Sequence, residues 1–163
     1  LQYCSNVMKI INIKTEHFYG PRDDDNKFIC WLIRDLLNDK AEIRLTSGEQ
    51  ERDFIYITDV VNAYMQVISN VDLFTDGFNN LHIGTGNSYK IKDIVLMIKE
   101  VIENITERKN KTKLFFGVEH DNGNSYIENN QEISTLLKLG WEPKVDFFEG
   151  ISKTILNYWR LYQ

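Results

Sequence analysis

Cysteine occurs only at positions 4 and 30 of the 163 residues, proline only at 21 and 143, and histidine only at 17, 82 and 120. Two cysteines without metal-ligand spacing make neither a disulfide framework nor a zinc site, so a reducing, cytoplasmic setting is the expectation. The three histidines have no cysteine or carboxylate at the short spacings of a metal site, and no metal is expected. Asp23-Asp24-Asp25 lacks the further ligands of a calcium loop and reads instead as the acidic start of a helix. No Gly-x-Ser-x-Gly turn marks a nucleophilic serine. No apolar run approaches the length of a membrane span, and Leu1–Asn6 lacks the layout of a signal peptide. The net charge of −5 argues against a broad nucleic-acid footprint, which needs a clustered basic face, yet leaves room for one local anion site.

What the chain does hold is an ordinary globular composition, with 42% hydrophobic and 26% charged residues, enough to bury a core. Met8–Lys14 is a β-branched run suited to a buried strand, ended by Tyr19-Gly20-Pro21. Helical spacing of Phe28, Ile29, Trp31, Leu32, Leu36 and Leu37 predicts a helix over 26–37, with Asp24 or Asp25 as its cap. Strands are expected over 41–46 and 53–57. A helix follows, capped by Thr58 or Asp59, with Val60, Val61, Ala63, Tyr64, Val67 and Ile68 on one side. Asn79–Gly84 reads as a third strand whose Gly84-Thr85-Gly86 exit leads to a long helix burying Ile91, Ile94, Val95, Ile98, Val101 and Ile102. Lys113–Gly117 is a fourth strand, and 119–130 a polar loop. Helices over about 131–139, closed by Gly140, and 147–162 complete the chain. With no repeat or linker, 1–163 reads as a single unit.

Five segments carry more than secondary structure: His17-Phe18-Tyr19-Gly20-Pro21, Gly48 with Arg52-Asp53-Phe54, Asn80–Gly86, Leu139-Gly140-Trp141-Glu142-Pro143, and Glu149-Gly150-Ile151. In this order they resemble the second half of the extended short-chain dehydrogenase/reductases, the NAD-dependent epimerase/dehydratase family that remodels nucleotide-linked sugars. The resemblance implies a mixed α/β substrate-binding lobe, plus the last strand of a doubly wound, Rossmann-type sheet whose remainder is absent. Residues 1–21 would be a remnant of the dinucleotide-binding lobe and 22–163 mainly the nucleotide-sugar lobe. The family's Gly-x-x-Gly-x-x-Gly cofactor loop and Tyr-x-x-x-Lys pair occur nowhere in the chain, so no catalytic residue is expected in it. NAD or NADP would be held mainly by a missing N-terminal half.

Arg52 stands out on chemistry as well. A guanidinium presents donors in a planar fork that matches phosphate oxygens, and the resemblance puts it near the diphosphate of the sugar donor. The plain alternative is an ion pair with Glu49, Glu51 or Asp53. Asp53 reads as structural, accepting backbone or Arg hydrogen bonds. His17 stands where many relatives have a substrate-approaching Asn, and a structural histidine is its alternative. Phe28 is a candidate ligand contact or a core aromatic. Ile43 and Leu45 lie in a stretch resembling the strand that flanks the nucleotide base, or are ordinary strand residues. Tyr19, Gly20 and Pro21 would close the strand end near the cofactor, or simply make a turn. Between 117 and 130 many relatives carry an Arg-x-Gly-Asp segment with a second diphosphate contact. This chain has no Arg there; His120 or a Lys elsewhere is a candidate substitute, and an exposed loop histidine is the plain alternative.

The expected partner is a nucleotide-diphosphate sugar, with neither nucleic acid nor membrane, in an NAD(P)-dependent epimerase, dehydratase or 4-keto reductase inactive without its other half. Two further readings stay open: a stand-alone nucleotide-sugar-binding module, and an assembly domain forming a homo-oligomer through the orphaned strand at 8–14.

Overall fold

In the computed structural model, which describes residues 8–119 and 134–161, strands and helices alternate along the chain. Strands are β1 (Lys9–Thr15), β2 (His17–Tyr19), β3 (Glu42–Arg44), β4 (Glu51–Tyr56), β5 (Gly77–Ile83), β6 (Ser88–Lys90) and β7 (Lys113–Phe115). Helices are α1 (Phe28–Leu37), α2 (Ile57–Ser69), α3 (Ile91–Thr106), α4 (Ser134–Lys138) and α5 (Phe147–Leu161). β1 pairs with β5, β3 with β7, and β4 lies between β2 and β6 in a three-stranded sheet. The loop read over 119–130, with His120, falls almost wholly outside the described residues.

The described residues divide into two compact units, each drawn from three separated segments: 8–18, 53–87 and 134–145 in the first; 19–52, 88–119 and 146–161 in the second. Each unit is held by partners far apart in sequence.

In the first unit β1 and β5 run parallel in a seven-residue register from Lys9↔Gly77 to Thr15↔Ile83. Parallel strands need a long crossover between them, and the chain supplies one that includes α2. Asn12 donates to Asn80 across the ladder at 2.9 Å. β1 is half-buried rather than buried, with Asn12 and Lys14 exposed and Ile11 and Ile13 packed against the core. That core gathers Ile55, Val60, Ala63, Leu81, Leu136 and Trp141.

Helix α2 corrects two sequence expectations. Its start is Ile57, with no side-chain cap at Tyr56. Asp59 instead accepts the backbone N–H groups of Lys144 (3.0 Å) and Val145 (2.9 Å), while its carbonyl accepts the Trp141 indole N–H at 3.2 Å. A carboxylate buried in the first turn thus ties down the segment after α4. The buried stripe is also narrower than expected: Val60, Ala63 and Val67 face inward, whereas Val61, Tyr64 and Ile68 are exposed. α4 ends as expected at Gly140, whose φ of +78° accompanies Trp141 N–H bonded to the Leu136 carbonyl at 3.0 Å, the left-handed helix end that glycine permits.

In the second unit α1, α3 and α5 pack on one another, and β3 and β7 pair parallel with Ile43 opposite Leu114. All six apolar residues expected on the inner face of α3 are buried. α1 starts later than expected, at Phe28 after Lys27. Asp24 does not cap it, because its carboxylate accepts the Asn26 N–H at 2.9 Å in the preceding turn.

Asp59→Ala removes the acceptor of two N–H groups and is expected to cost about 1–3 kcal/mol. Urea unfolding should show a lower midpoint at unchanged slope, with a smaller loss in Asp59→Asn, which keeps one acceptor oxygen.

Candidate functional site

The first unit gathers four titratable side chains where β1 runs on into β2 and β5 into its Gly84-Thr85-Gly86 exit. The β1–β5 ladder continues one step past the strand, with Glu16 N–H bonded to the Ile83 carbonyl at 2.8 Å, which carries Glu16 to His82. Its Oε1 lies 2.8 Å from His82 Nε2 and its Oε2 3.8 Å from His17 Nδ1. His82 is 4% exposed, whereas the His17 side chain is 54% exposed and its ring lies 5.4 Å from that of Phe54.

Asp53, on β4 and 4% exposed, is held by the exit loop. Its carboxylate accepts the N–H groups of Thr85 (2.8 Å) and Gly86 (2.9 Å) and the Thr85 hydroxyl. The reading of Asp53 as a structural acceptor therefore matches the fold. Gly84 is required by close approach: a Cβ there would stand 2.8 Å from Asp53 Oδ2 and 2.9 Å from Glu16 Cγ.

The two carboxylates are pushed in opposite directions. Burial drives the Asp53 carboxyl above its usual range against the hydrogen bonds from Thr85 and Gly86, and the nearby Glu16 charge adds to the rise. The Glu16 carboxyl is held below its ordinary value by His17 first and by His82, against the opposing effect of burial. The ionised Glu16 is therefore favoured in the fold, and its stabilisation is present above the ordinary midpoint of 4.5 and lost as pH falls through the lower folded value. Asp53 acts in the opposite sense, its contribution greatest below 3.8 and lost as pH rises through its raised midpoint.

In the second unit, strand alternation turns Arg52 away from the side on which Asp53 is buried. Its guanidinium is half-buried, and Nη1 donates to the Glu51 carbonyl at 2.7 Å. Nearby, Glu49 pairs with Lys90 at 2.8 Å. Phe28 is half-buried, its ring 6.3 Å from that of Trp31. Ile43 and Leu45 are buried, and the outward residues on that stretch are Glu42 and Arg44. The alternation of this stretch places both Ile43 and Leu45 in the core. Tyr19 is buried, its hydroxyl donating to the Phe147 carbonyl at 3.2 Å. Gly20 is buried and Pro21 half-buried, a packed turn.

The structure thus brings His17 to Glu16, which also meets His82, and to Phe54, while Phe28, Ile43, Leu45, Tyr19 and Arg52 belong to the second unit. Sequence reasoning missed Glu16, His82 and Thr85 as a cluster. Its faint signal was a threonine between two glycines after a strand, where successive N–H groups can cradle a carboxylate. Among the described residues no group of three His, Cys, Asp or Glu side chains could hold a metal ion, and no helix is long and apolar enough to cross a membrane.

A model of the NAD dependent epimerase/dehydratase family matches residues 2–83. The chain belongs to this family. It is 32% identical over 157 residues to CDP-abequose synthase of Salmonella typhimurium, a match covering 94% of this chain and 50% of that protein. Human dTDP-D-glucose 4,6-dehydratase is 28% identical over 151 residues, covering 91% and 41%. The chain spans about half the length of the curated relatives it matches. Among solved structures it resembles the UDP-glucose 4-epimerase of Thermotoga maritima bound to UDP-glucose, with TM-score 0.74, 22% identity and coverage of 94% and 47%. An epimerase of Methanothermobacter thermautotrophicus gives TM-score 0.78 at 19% identity, covering 99% and 47%. The mixed α/β fold with parallel strand pairs is that of these epimerases.

Gly84→Ala is expected to destabilise by about 1–3 kcal/mol through overpacking, measured by denaturant unfolding. In the same assay the stability margin of the native chain over Glu16→Gln should shrink as pH falls below 4.5, where Glu16 loses its charge.

Proposed function

We propose that this chain is the nucleotide-sugar-binding portion of an NAD(P)-dependent epimerase, dehydratase or 4-keto reductase, and that Arg52 grips the diphosphate of its sugar donor. The observation that carries the reading is the division of labour in β4. Asp53 is engaged by the Thr85–Gly86 loop, while the adjacent Arg52 is half-buried on the same strand, its guanidinium set by a bond from Nη1 to the Glu51 carbonyl. A planar fork of donors on a rigid strand suits a pyrophosphate. Support comes also from the relatives, whose names specify CDP-, dTDP- and UDP-linked sugars.

In this proposal Arg52, in the second unit, is a diphosphate contact, and in the first unit His17, exposed beside Phe54, is a substrate contact. Catalytic groups and the dinucleotide's phosphate loop would be furnished by residues outside this chain, since neither the glycine-rich spacing nor Tyr-x-x-x-Lys occurs in it. A nicotinamide, when bound, supplies hydride chemistry at the sugar ring. This chain's contribution is to bind and orient the substrate.

In the protein expressed from its complete reading frame, Arg52→Ala should weaken UDP-, CDP- or dTDP-glucose binding about ten- to a hundredfold, the range for lost charge-assisted hydrogen bonds. Arg52→Lys should lose less, keeping charge without the fork. Calorimetry across the three ligands measures this, and unchanged affinity in Arg52→Ala overturns the assignment.

A further inference from the structure

The carboxylate of Glu16 stands between two imidazoles of unequal exposure: His82, buried on β5, and His17, more than half exposed on β2. We propose that Glu16 is a positioning residue, anchored from behind by His82, that orients the His17 imidazole and sets which ring nitrogen it offers to a hydroxyl of the bound sugar nucleotide. The inference rests on the reading of His17 as a substrate contact.

Three features confine the Glu16 side chain. His82 Nε2 holds one oxygen at 2.8 Å. The absent side chain of Gly84 leaves the room its stem occupies, 2.9 Å from where a Cβ would stand. Asp53, already engaged by Thr85 and Gly86, presents like charge. The titratable groups facing Glu16 are therefore His17 from β2, His82 from β5 and Asp53 from β4.

With one oxygen taken, the other faces His17 Nδ1 at 3.8 Å. An ionised carboxylate accepts only, so it favours the hydrogen on the facing Nδ1 and leaves Nε2 with a lone pair in the neutral ring. His17 then offers a ligand one acceptor while neutral and one donor while protonated. An amide at the same place would offer both at once. Glu16 thereby tunes which sugar hydroxyl arrangement the site prefers, without touching the sugar.

Nitrogen-15 spectroscopy of the imidazoles tests this in the chain itself. The native protein should hold His17 largely as the Nδ1–H tautomer, and Glu16→Ala should return it to the Nε2–H form favoured by an unconstrained histidine. Glu16→Gln, which keeps an acceptor and nearly the same volume, serves if the alanine variant does not fold, and should weaken the preference. An unchanged tautomer in either variant overturns the inference. Binding of UDP-glucose and CDP-glucose to the protein from its complete reading frame is the second readout. Glu16→Ala and His17→Ala should each lower affinity about three- to tenfold, and the double variant no further than either alone. Additive losses overturn positioning through His17. A tautomer change with native affinity in His17→Ala leaves the orientation standing and overturns the substrate contact.

Discussion

The parallel register of β1 on β5 is the constraint on which the first unit depends. It joins residues 68 positions apart, as in the Asn12–Asn80 pair, and it sets which side chains meet beyond the last rung. Because Lys14 pairs with His82 and Thr15 with Ile83, the next residue, Glu16, arrives beside His82. A slip by one residue would turn every side chain of β1 to the other face, moving Ile11 and Ile13 off the core and separating Glu16 from its histidine. Core packing and the polar cluster therefore select the same register.

The polar cluster is built around satisfied carboxylates. Asp53 and Asp59 are both buried, and in each Oδ2 accepts two backbone N–H groups, one pair at the exit of β5 and the other after α4. A buried charge is tolerated when hydrogen bonds replace its lost hydration, and in return each carboxylate fixes a loop whose N–H groups would otherwise lack partners. Asp53 also stands on β4 next to Arg52, whose Nη1 donates to the Glu51 carbonyl at 2.7 Å.

Much of this was legible beforehand, and the pattern of success has a physical cause. α3 was read residue by residue, since its apolar positions recur at helical spacing and nothing else competes for that face. The strands expected at 8–14 and 79–84 follow from β-branched and apolar runs and lie within a residue or two of the observed Lys9–Thr15 and Gly77–Ile83, and the family follows from motifs in order. Helix α2 was read too broadly: Val61, Tyr64 and Ile68 are apolar yet exposed, because hydrophobicity says what a residue prefers and only packing says where neighbours stand. The caps failed for a related reason. Asp24 and Asp59 are good caps in isolation, but a turn took one and the segment after α4 took the other.

By itself, then, the chain determined its elements, its glycine-dependent helix end and its kinship, all of which rest on local chemistry or on the order of short motifs. Tertiary structure alone decided that Glu16 meets His82 and His17, that Ile43 and Leu45 face inward, and that Asp53 is engaged by Thr85 and Gly86. Those outcomes depend on register and on strand alternation between segments tens of residues apart, and a linear sequence carries no distance between residues that only folding brings together.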